Sequence, residues 1–497
     1  MVEEQVPAST RPRAEMARWI GFFGGPLLAA VVFVCLPPAE LTVAARTTVA
    51  VAAWMATWWL TEAISITVTA LIPITFFPIL GARPIAEVAK PYAHRLIFLF
   101  LGGFVIGLAM QRWGLHRRIA LKILTIVGAR PRAMVGGFMF VTAFWSMWMS
   151  NTATALLMLP IAISVIALIE GNDRNGREGD GESTTGDNFS ICLLLGIAYG
   201  ATIGGIGTLV GTPPNALLAS YVEDSLGVKL SFAQWLVVGL PVVVVFLPIA
   251  WLVLCHFVYP IRVSEIKGGA ELIREAYKGL GPMKRGEWVT LVVFVMTALA
   301  WVASPLLTRI EWLSGLSDSG IAMLAALALF VIPVDIKKRE FTMDWTTASR
   351  LPWGIIILFG GGLSLAEAIR ANGVDKFIGA QVTGLKDVPE IVFILVVVSV
   401  VIFLTELTSN FATTATLLPV LASVAQGLDM DPLVLIVPAT VAASCAFMMP
   451  VATPPNAIVF GSGHLTIPQM AKAGIWLNLI GIALVTILTY TVIMRLL

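Results

Sequence analysis

Charged side chains are scarce in this chain of 497 residues. Asp, Glu, Lys and Arg make up 12% of it, against roughly 25% in soluble domains. Hydrophobic residues make up 58%, and the mean hydropathy is +0.89. This lack of charge excludes an ordinary soluble globular protein and predicts an all-α protein embedded in a lipid bilayer.

Cysteines and clusters of basic residues are also few. The four cysteines lie in apolar stretches without metal-ligand spacing, and we interpret them as small core residues. They are Cys35, Cys192, Cys255 and Cys445. The net charge is +2 and the basic residues are spread over short loops, so a nucleic-acid partner is not expected. No phosphate-binding loop motif is present, which argues against transport driven by ATP.

What the chain does have is a series of long apolar runs, and a run of about 20 such residues spans a bilayer. They predict about 11 transmembrane helices plus two re-entrant hairpins. The runs cover residues 20–36, 43–60, 63–80, 96–110, 133–169, 189–220, 232–259, 288–306, 317–334, 353–369, 391–428, 433–462 and 474–495. Residues 1–19 are polar and no cleavage site follows them, so we expect no removable signal peptide.

Basic residues set the expected orientation in an inner (plasma) membrane. They concentrate in Arg112–Arg132 and again at Lys337 and Lys338, and the positive-inside rule places both loops in the cytoplasm. Counting crossings from these loops puts the N-terminus inside and the C-terminus outside.

Two of the apolar runs are too long for one span. Ala133–Ile169 has 37 residues without a charge, about 55 Å as a single helix. It must turn back, and Ser150-Asn151 at its middle suits a polar tip buried in protein at mid-membrane. Ile391–Leu428 has the same shape around Ser409-Asn410. Two ordinary spans joined by a polar bend remain the alternative.

The two halves of the chain repeat one another. Adding 259 to a first-half number superimposes Gly102 on Gly361, Gly114 on Gly373, Ser150-Asn151 on Ser409-Asn410, and Pro160 on Pro419. Thr212–Ala216 matches Thr453–Ala457 at an offset of 241. The difference, 259 − 241 = 18, is the length of an acidic, Gly-rich insert, Gly171–Asn188. An odd number of crossings separates the hairpins, so the repeat should be inverted, with binding sites near the midplane.

Each half also contains a Thr-Pro-Pro-Asn sequence inside a run long enough to span. Two prolines remove two N–H donors and interrupt the helix. Freed carbonyls, hydroxyls and Asn oxygens are neutral ligands suited to Na⁺, and half-helix N-termini attract an anion. No Arg or Lys lies in these motifs, so bound cations would offset the anion's charge. Such features can also be mere kinks or side chains bonded to their own backbone, but four in two symmetric pairs favour function.

Two acidic residues lie within apolar stretches, which makes them functional candidates by default. Glu406 precedes Ser409 by three residues and could bind a proton or brace the hairpin tip; we favour bracing. Glu62 lies far in sequence from either tip, and we interpret it as structural.

These motifs resemble those of the divalent anion/sodium symporter family, which includes the INDY-type dicarboxylate and citrate carriers. The resemblance rests on the segment Trp58–Ala63, the Ser150-Asn151-Thr152 tip, the Ser409-Asn410 tip and both Thr-Pro-Pro-Asn breaks. It extends over nearly the whole chain beyond residue 20. It implies a lipid-embedded homodimer in which each protomer has a scaffold domain and a transport domain that work by an elevator mechanism.

The resemblance also implies boundaries and site residues. The expected segments are a cytoplasmic N-terminus 1–19, scaffold helices 20–132, transport elements 133–259 (hairpin 133–169, broken helix 189–220, helix 232–259), an interfacial linker 260–287, scaffold helices 288–390, and transport elements 391–497 (hairpin 391–428, broken helix 433–462, final helix 474–495). One Na⁺ site would include Ser146, Ser150, Asn151 and Gly211, and a second Thr405, Thr408, Asn410 and Ala452. The anion would contact Asn151, Thr152, Asn410, Phe411, Thr212, Pro213, Thr453 and Pro454.

The second tip departs from the family pattern, which often has Ser-Asn-Thr at both tips. Phe411 stands where a hydroxyl is usual, so one hydrogen-bond donor is lost and the pocket is narrower. We expect sodium-coupled symport of a C4-dicarboxylate such as succinate, malate or fumarate. Citrate, sulfate or sodium-independent exchange remain open. An intramembrane enzyme is a remote alternative, because no catalytic pair stands out within the spans.

Overall fold

The computed structural model describes residues 11–128, 130–176, 184–262 and 268–493, and these are almost entirely helical. The helices of the first half are α1 Arg11–Cys35, α2 Val43–Thr61, α3 Ile66–Thr69, α4 Ile72–Ile79, α5 Ile85–Ala89, α6 Arg95–Trp113, α7 Leu115–Val127, α8 Pro131–Ser146, α9 Asn151–Gly176, α10 Thr184–Ile206, α11 Pro213–Leu226 and α12 Phe232–Leu252.

The second half continues with eleven more helices. They are α13 Gly269–Lys278, α14 Arg285–Leu307, α15 Asp318–Val331, α16 Trp345–Ala348, α17 Trp353–Ala371, α18 Val374–Gln381, α19 Glu390–Thr405, α20 Asn410–Gly427, α21 Leu433–Ala443, α22 Pro454–Phe460 and α23 Ile467–Leu488. Short 3-10 helices cover Lys90–Ala93, Glu311–Leu313 and Thr383–Leu385. Single π-helical turns, Val253–Val258 and Thr489–Ile493, extend α12 and α23.

The prediction of an all-α membrane protein is confirmed. Within the described residues, eight helices are long and apolar enough to cross a membrane, and four shorter apolar segments accompany them. The run 63–80 is not one span, as the sequence suggested, but the two short helices α3 and α4. They separate at Ala70 and Leu71, where the Ala70 carbonyl accepts a hydrogen bond of 2.5 Å from the Tyr92 hydroxyl and the proline at position 73 begins a new helix.

Both long runs break into two helices, as predicted. Met147–Ser150 separates α8 from α9, and Glu406–Ser409 separates α19 from α20. Helices α8 and α19 have 16 residues each, about 24 Å, which is less than the roughly 30 Å of a hydrocarbon core. Each first arm therefore ends before it could cross a bilayer.

The repeat found in the sequence is visible in the helix boundaries. At the offset of 259, the first residues of α7, α8 and α9 match the first residues of α18, α19 and α20. Gly114 and Gly373, which precede α7 and α18, both adopt a left-handed conformation with φ of +72°. A residue with a Cβ would be strained there, so the equivalence has a physical cause.

The centre of the molecule is helix α10. Its segment from Phe189 to Ile206 is completely buried, which fits a helix that is apolar on every side. It packs against α8, α9, α12 and the half-helix α22 of the other repeat. Correspondingly, the half-helix α11 of the first repeat packs against α20 of the second. The two repeats thus interlock through their half-helices.

Other details differ from the expectation or refine it. Cys192, Cys255 and Cys445 are buried as predicted, but Cys35, the last residue of α1, is exposed, so the interpretation as a core residue is wrong there. The linker 260–287 contains the helix α13. The insert 171–188 is partly helical at its ends, and residues 177–183 lie outside the described part. The loop after α15 forms a small antiparallel ribbon, β1 Pro333–Asp335 with β2 Glu340–Phe341, in register Pro333 to Phe341.

Candidate functional site

The first hairpin tip holds a cluster of three oxygen atoms. The Ser146 hydroxyl lies 2.5 Å from Oδ1 of Asn151 and 2.7 Å from the carbonyl oxygen of Ala201. A serine has one hydroxyl hydrogen, so it can satisfy only one of these two acceptors fully. The cluster joins the end of α8, the start of α9 and the last turns of α10.

The second tip repeats this arrangement with a threonine. The Thr405 hydroxyl lies 2.8 Å from Oδ1 of Asn410 and 2.8 Å from the carbonyl oxygen of Ala443. Ser146 and Thr405, like Asn151 and Asn410, are related by the offset of 259. Two equivalent clusters of neutral oxygens, each short of one hydrogen, are therefore present.

Close backbone approach completes the first cluster. A Cβ on Gly211 would lie 2.4 Å from the carbonyl oxygen of Gly205 and 3.0 Å from that of Ser146. A Cβ on Gly205 would lie 2.7 Å from Oδ1 of Asn151. Only glycine fits at these two positions, and the structure places Ser146, Asn151 and Gly211 next to one another. The sequence analysis did not identify Gly205 as part of this cluster, although a glycine near the end of an apolar helix could have indicated a close backbone contact.

The side chains or amides of the remaining predicted cation ligands make hydrogen bonds outside the two clusters. The Ser150 hydroxyl accepts a hydrogen bond of 3.3 Å from the Ala153 amide at the start of α9. The Thr408 hydroxyl is held by Thr413, 2.6 Å away, so a contribution from Thr408 would come from its backbone carbonyl. Ala452 is buried in the second break, where its amide donates to Met449.

The predicted anion contacts sit at the starts of half-helices. Thr212 and Thr453 are the N-cap residues of α11 and α22. Thr152 is half-buried in the first turn of α9. Both proline pairs occupy the first two helical positions, where a missing N–H costs nothing; Pro213 is half-buried and Pro454 exposed.

Phe411 is buried in the first turn of α20. Its ring contacts Phe359, which in turn contacts Phe100, with ring centroids 5.1 Å apart in the second pair. Phe100 and Phe359 are themselves related by the offset of 259, so this contact joins equivalent positions of the two repeats.

The sequence reasoning did not assign roles to two further asparagines. Asn215 donates through Nδ2 to the carbonyl oxygens of Gly205 at 3.2 Å, Ile206 at 3.3 Å and Thr208 at 2.8 Å. Asn456 donates to those of Ala446 at 3.4 Å and Met449 at 3.0 Å. Each is the last residue of a Thr-Pro-Pro-Asn motif, and its position in the repeated motif could have indicated its role from the sequence.

Glu406 braces the second break, in agreement with the interpretation we favoured. Its buried carboxylate accepts backbone hydrogen bonds from Phe447 at 2.7 Å, Met448 at 2.9 Å and Met449 at 3.0 Å. The amide of Asn478 on α23 donates a fourth at 2.8 Å. The carboxylate thus ties the hairpin tip to the unwound segment after α21.

The two halves differ in how far they are covered. Val210 in the first break is 4% exposed and lies against Gly103 of α6, while its repeat mate Val451 is 69% exposed. At the tips, Trp148 packs among aromatic rings, whereas its mate Leu407 is 69% exposed. Helix α6 therefore covers the first repeat at Val210, and we call this repeat closed. The second repeat, in which Val451 and Leu407 are exposed, we call open.

This arrangement suits a hard monovalent cation beside an anion. Neutral hydroxyl, amide and carbonyl oxygens line both clusters. Helix α9 begins at Asn151 in the first cluster and α20 at Asn410 in the second, and helix N-termini favour negative charge. Within residues 11–128, 130–176, 184–262 and 268–493, no group of three or more His, Cys, Asp or Glu side chains could hold a metal ion.

Comparison with known proteins gives consistent matches. The family model described as the sodium:sulfate symporter transmembrane region matches residues 18–497. The sodium-dependent dicarboxylate transporter SdcS of Staphylococcus saprophyticus is 40% identical over 474 residues, 95% of this chain and 90% of that protein. SdcS of Staphylococcus aureus strain USA300 is 41% identical over 475 residues, 95% of this chain and 91% of that protein.

Two solved structures share the fold at low sequence identity. The YdaH transporter of Alcanivorax borkumensis has a TM-score of 0.52 and 13% identity, covering 77% of this chain and 84% of that one. MtrF of Neisseria gonorrhoeae, from a class of antimetabolite efflux pumps, has a TM-score of 0.53 and 13% identity, covering 82% and 84%. At this identity the likeness concerns the fold alone.

Proposed function

Because this chain belongs to the sodium:sulfate symporter family of membrane transporters, we propose that it couples the uptake of C4-dicarboxylates to sodium. The observation that carries the proposal is the pair of oxygen clusters at Ser146–Asn151 and Thr405–Asn410. A sodium ion in each cluster would use the acceptor that the single hydroxyl hydrogen leaves unsatisfied.

Coupling follows from the absence of cationic side chains. No Arg or Lys lies in either tip or break, so a dicarboxylate between the tips would meet only neutral groups and helix N-termini. Two bound sodium ions would supply the missing positive charge, and the anion would bind poorly without them. Contacts from Asn151, Thr152, Asn410, Phe411, Thr212, Pro213, Thr453 and Pro454 would hold it.

The choice of a dicarboxylate over citrate or sulfate is supported by two observations. The relatives at 40 and 41% identity carry the name of sodium-dependent dicarboxylate transporters. The buried ring of Phe411 leaves less room and one hydroxyl fewer than a threonine would. The first observation favours a dicarboxylate over sulfate, and the second favours a linear dicarboxylate over the bulkier citrate.

The difference in exposure between the halves supports alternating access. Five crossings, α10–α11, α12, α14, α15 and α17, separate the two hairpins, and an odd number inverts the second repeat. If the open and closed repeats exchanged roles, the site would open to the other side of the membrane. We propose that α8–α12 and α19–α23 form the moving unit of an elevator and that the other helices form the scaffold of a homodimer, with the N-terminus inside and the C-terminus outside an inner (plasma) membrane.

Uptake of radiolabelled succinate into proteoliposomes tests the function. We expect uptake with an inward sodium gradient and almost none when choline replaces sodium on both sides. Equal uptake in both conditions, with acceleration by internal succinate, would instead indicate sodium-independent exchange. Competition with unlabelled citrate and sulfate under the same gradient then tests the substrate class.

A further inference from the structure

Asn215 and Asn456 occupy the same position in the two breaks and make the same bonds. The donor and both shared acceptors are each related by 241: Asn215 to Asn456, Gly205 to Ala446, and Thr208 to Met449. Both side chains are completely buried. Gly205 lies in the last turn of α10, whereas Thr208 follows the end of α10, and Ala446 and Met449 follow the end of α21. These carbonyls have no helical partner, and each asparagine reaches back from the next half-helix to bind them.

We propose that Asn215 and Asn456 are positioning residues, which hold the carbonyls of each break in the arrangement that a cation requires. The connection is direct in the first repeat, because Asn215 fixes the carbonyl of Gly205, the residue whose Cα faces Oδ1 of Asn151. This inference rests on the proposed function. It adds that the two asparagines set cation affinity without contacting the cation.

The Nδ2 group of each asparagine makes the hydrogen bonds that position the carbonyls. Oδ1 of Asn215 and Oδ1 of Asn456 are buried and accept no hydrogen bond from the part of the chain that the structure describes. Alanine therefore removes the whole contribution without adding a charge. A change in the partners that orient metal ligands typically costs about ten- to hundredfold in metal affinity.

The test is the sodium dependence of succinate uptake by Asn215→Ala and Asn456→Ala in proteoliposomes, together with thermal unfolding at rising sodium concentration. We expect the half-saturating sodium concentration to rise about tenfold or more in either variant, and the sodium-induced stabilisation to shrink. The matched control is Asn372→Ala, which removes a scaffold amide that donates to Thr48 at 2.7 Å. It should lower thermal stability and leave the sodium dependence unchanged.

Wild-type sodium dependence in both folded variants would overturn the inference, and so would failure of both variants to fold. Neither result would touch the proposed function, provided that wild-type uptake requires sodium. Sodium-independent uptake by the wild type would instead refute the proposed function itself.

A second, independent feature lies at the ends of α6 and α11. The Arg95 guanidinium binds the Glu223 carboxylate through two contacts, one of them 2.7 Å between Nε and Oε2. Next to it, Nε2 of His94 lies 3.2 Å from Oδ1 of Asp224. Nδ1 of His94 accepts a bond from the Leu96 amide, so the neutral ring with its hydrogen on Nε2 serves both contacts.

These charges lie at unfavourable ends of their own helices. Arg95 begins α6, where the helix dipole disfavours a cation, and Glu223 and Asp224 are in the last turn of α11, where it disfavours anions. Each isolated helix would be more stable without these charges. Their pairing removes the penalty only while the two helix ends are together.

The pairs occur in the repeat that is closed. Helix α6 also covers this repeat through the contact of Gly103 with Val210 and of Gly107 with Met149. The equivalent positions of the second repeat are Trp353, Gly354, His464 and Leu465, which cannot form the ion pair of Arg95 with Glu223. The charges are therefore placed where only one of two exchanged conformations can use them.

We infer that His94–Asp224 and Arg95–Glu223 form a latch that stabilises the conformation in which α6 covers the first break. The latch must open whenever α11 moves along α6. This inference also depends on the proposed alternation between two states, but it concerns their relative populations rather than the chemistry of binding.

Reversing the charges tests the latch in a cysteine-free background that carries Val210→Cys as a reporter. We expect Arg95→Glu to increase the rate at which a membrane-impermeant thiol reagent labels this cysteine. The increase should be about two- to fivefold, because that factor corresponds to the free energy of a partly exposed ion pair. The double variant Arg95→Glu/Glu223→Arg should restore the original rate. Arg83→Glu, which breaks the ion pairs of Arg83 with Glu87 and Glu367, is the control and should not change it.

An unchanged labelling rate in folded Arg95→Glu would overturn the latch, as would a double variant that behaves like the single one. Sodium-driven succinate uptake by the unmodified protein, measured in parallel, keeps this outcome separate from a failure of the proposed function.

Discussion

The ring of Phe411 packs edge-on against the ring of Phe359, with centroids 5.5 Å apart and planes at 73°. This contact joins the second hairpin tip to α17. The first repeat has Thr152 at the equivalent place. The two tips therefore differ at this position in side-chain size and in hydrogen-bonding capacity.

Phe411→Thr should shift substrate preference towards larger anions. The substitution removes the ring and adds a hydroxyl, so citrate should compete with succinate more strongly than it does in the wild type. The measurement is the ratio of inhibition constants for citrate and succinate in sodium-driven uptake. Loss of a buried aromatic ring also costs about 3–5 kcal/mol of stability, so thermal unfolding should be measured alongside.

Phe411→Leu is the matched control, because it keeps an apolar side chain of similar length. Its ratio should stay near the wild-type value. If Phe411→Thr folds and its ratio is also unchanged, the ring serves only the contact with Phe359 and does not face the anion.

Much of this architecture was predictable because it is encoded locally. Long apolar runs, the polar tips at Asn151 and Asn410 and the paired prolines each dictate a local backbone state. The shared offsets of 259 and 241 then relate the two halves without any knowledge of the fold. The left-handed glycines Gly114 and Gly373 confirm that equivalence in the backbone itself.

Asn151→Ala and Asn410→Ala should abolish sodium-driven uptake while the protein still folds and dimerises. Each substitution removes one oxygen of a cluster and the side chain expected to contact the anion. Uptake, size-exclusion chromatography and thermal unfolding together check this. Asn372→Ala again supplies the control for loss of a half-buried amide outside the site. Wild-type uptake by both tip variants would show that the clusters do not bind the transported species.

Contacts between distant residues were not predictable in the same way. Glu406 was recognised as a brace, but its partners Phe447 and Asn478 lie 41 and 72 residues away. The pairing of Arg95 with Glu223 spans 128 residues, and nothing in the local sequence indicates it. The unequal exposure of Val210 and Val451 arises from how α6 packs against the first repeat, so a symmetric sequence repeat cannot reveal it.

A cysteine at position 451 should react with a membrane-impermeant thiol reagent much faster than one at position 210. Val451 is 69% exposed and Val210 is 4% exposed, although the repeat makes them equivalent. The experiment compares Val451→Cys and Val210→Cys in a background without the four native cysteines. Saturating succinate with sodium should slow the reaction at position 451 if the bound anion lies beside the second break.

Equal labelling at both positions would show that the two states are similarly populated in the membrane. No labelling at position 451 would mean that Val451 faces lipid rather than water, and the proposed one-sided access would then be wrong.

Glu406→Gln should destabilise the protein and stop transport even though the side chain keeps its size. A glutamine can present only one oxygen to the backbone amides of Phe447, Met448 and Met449 and to the side chain of Asn478. Its own NH₂ group would face donors, leaving buried groups unsatisfied. Hydrogen bonds to a charged group contribute about 1.5–3 kcal/mol each, so the free energy of unfolding should fall by about 3 kcal/mol or more, which would appear as a lower unfolding temperature.

Glu62→Gln, at the exposed end of α2, is the control and should leave both stability and uptake near wild type. A folded Glu406→Gln of normal stability would show that the negative charge is not what holds the second break.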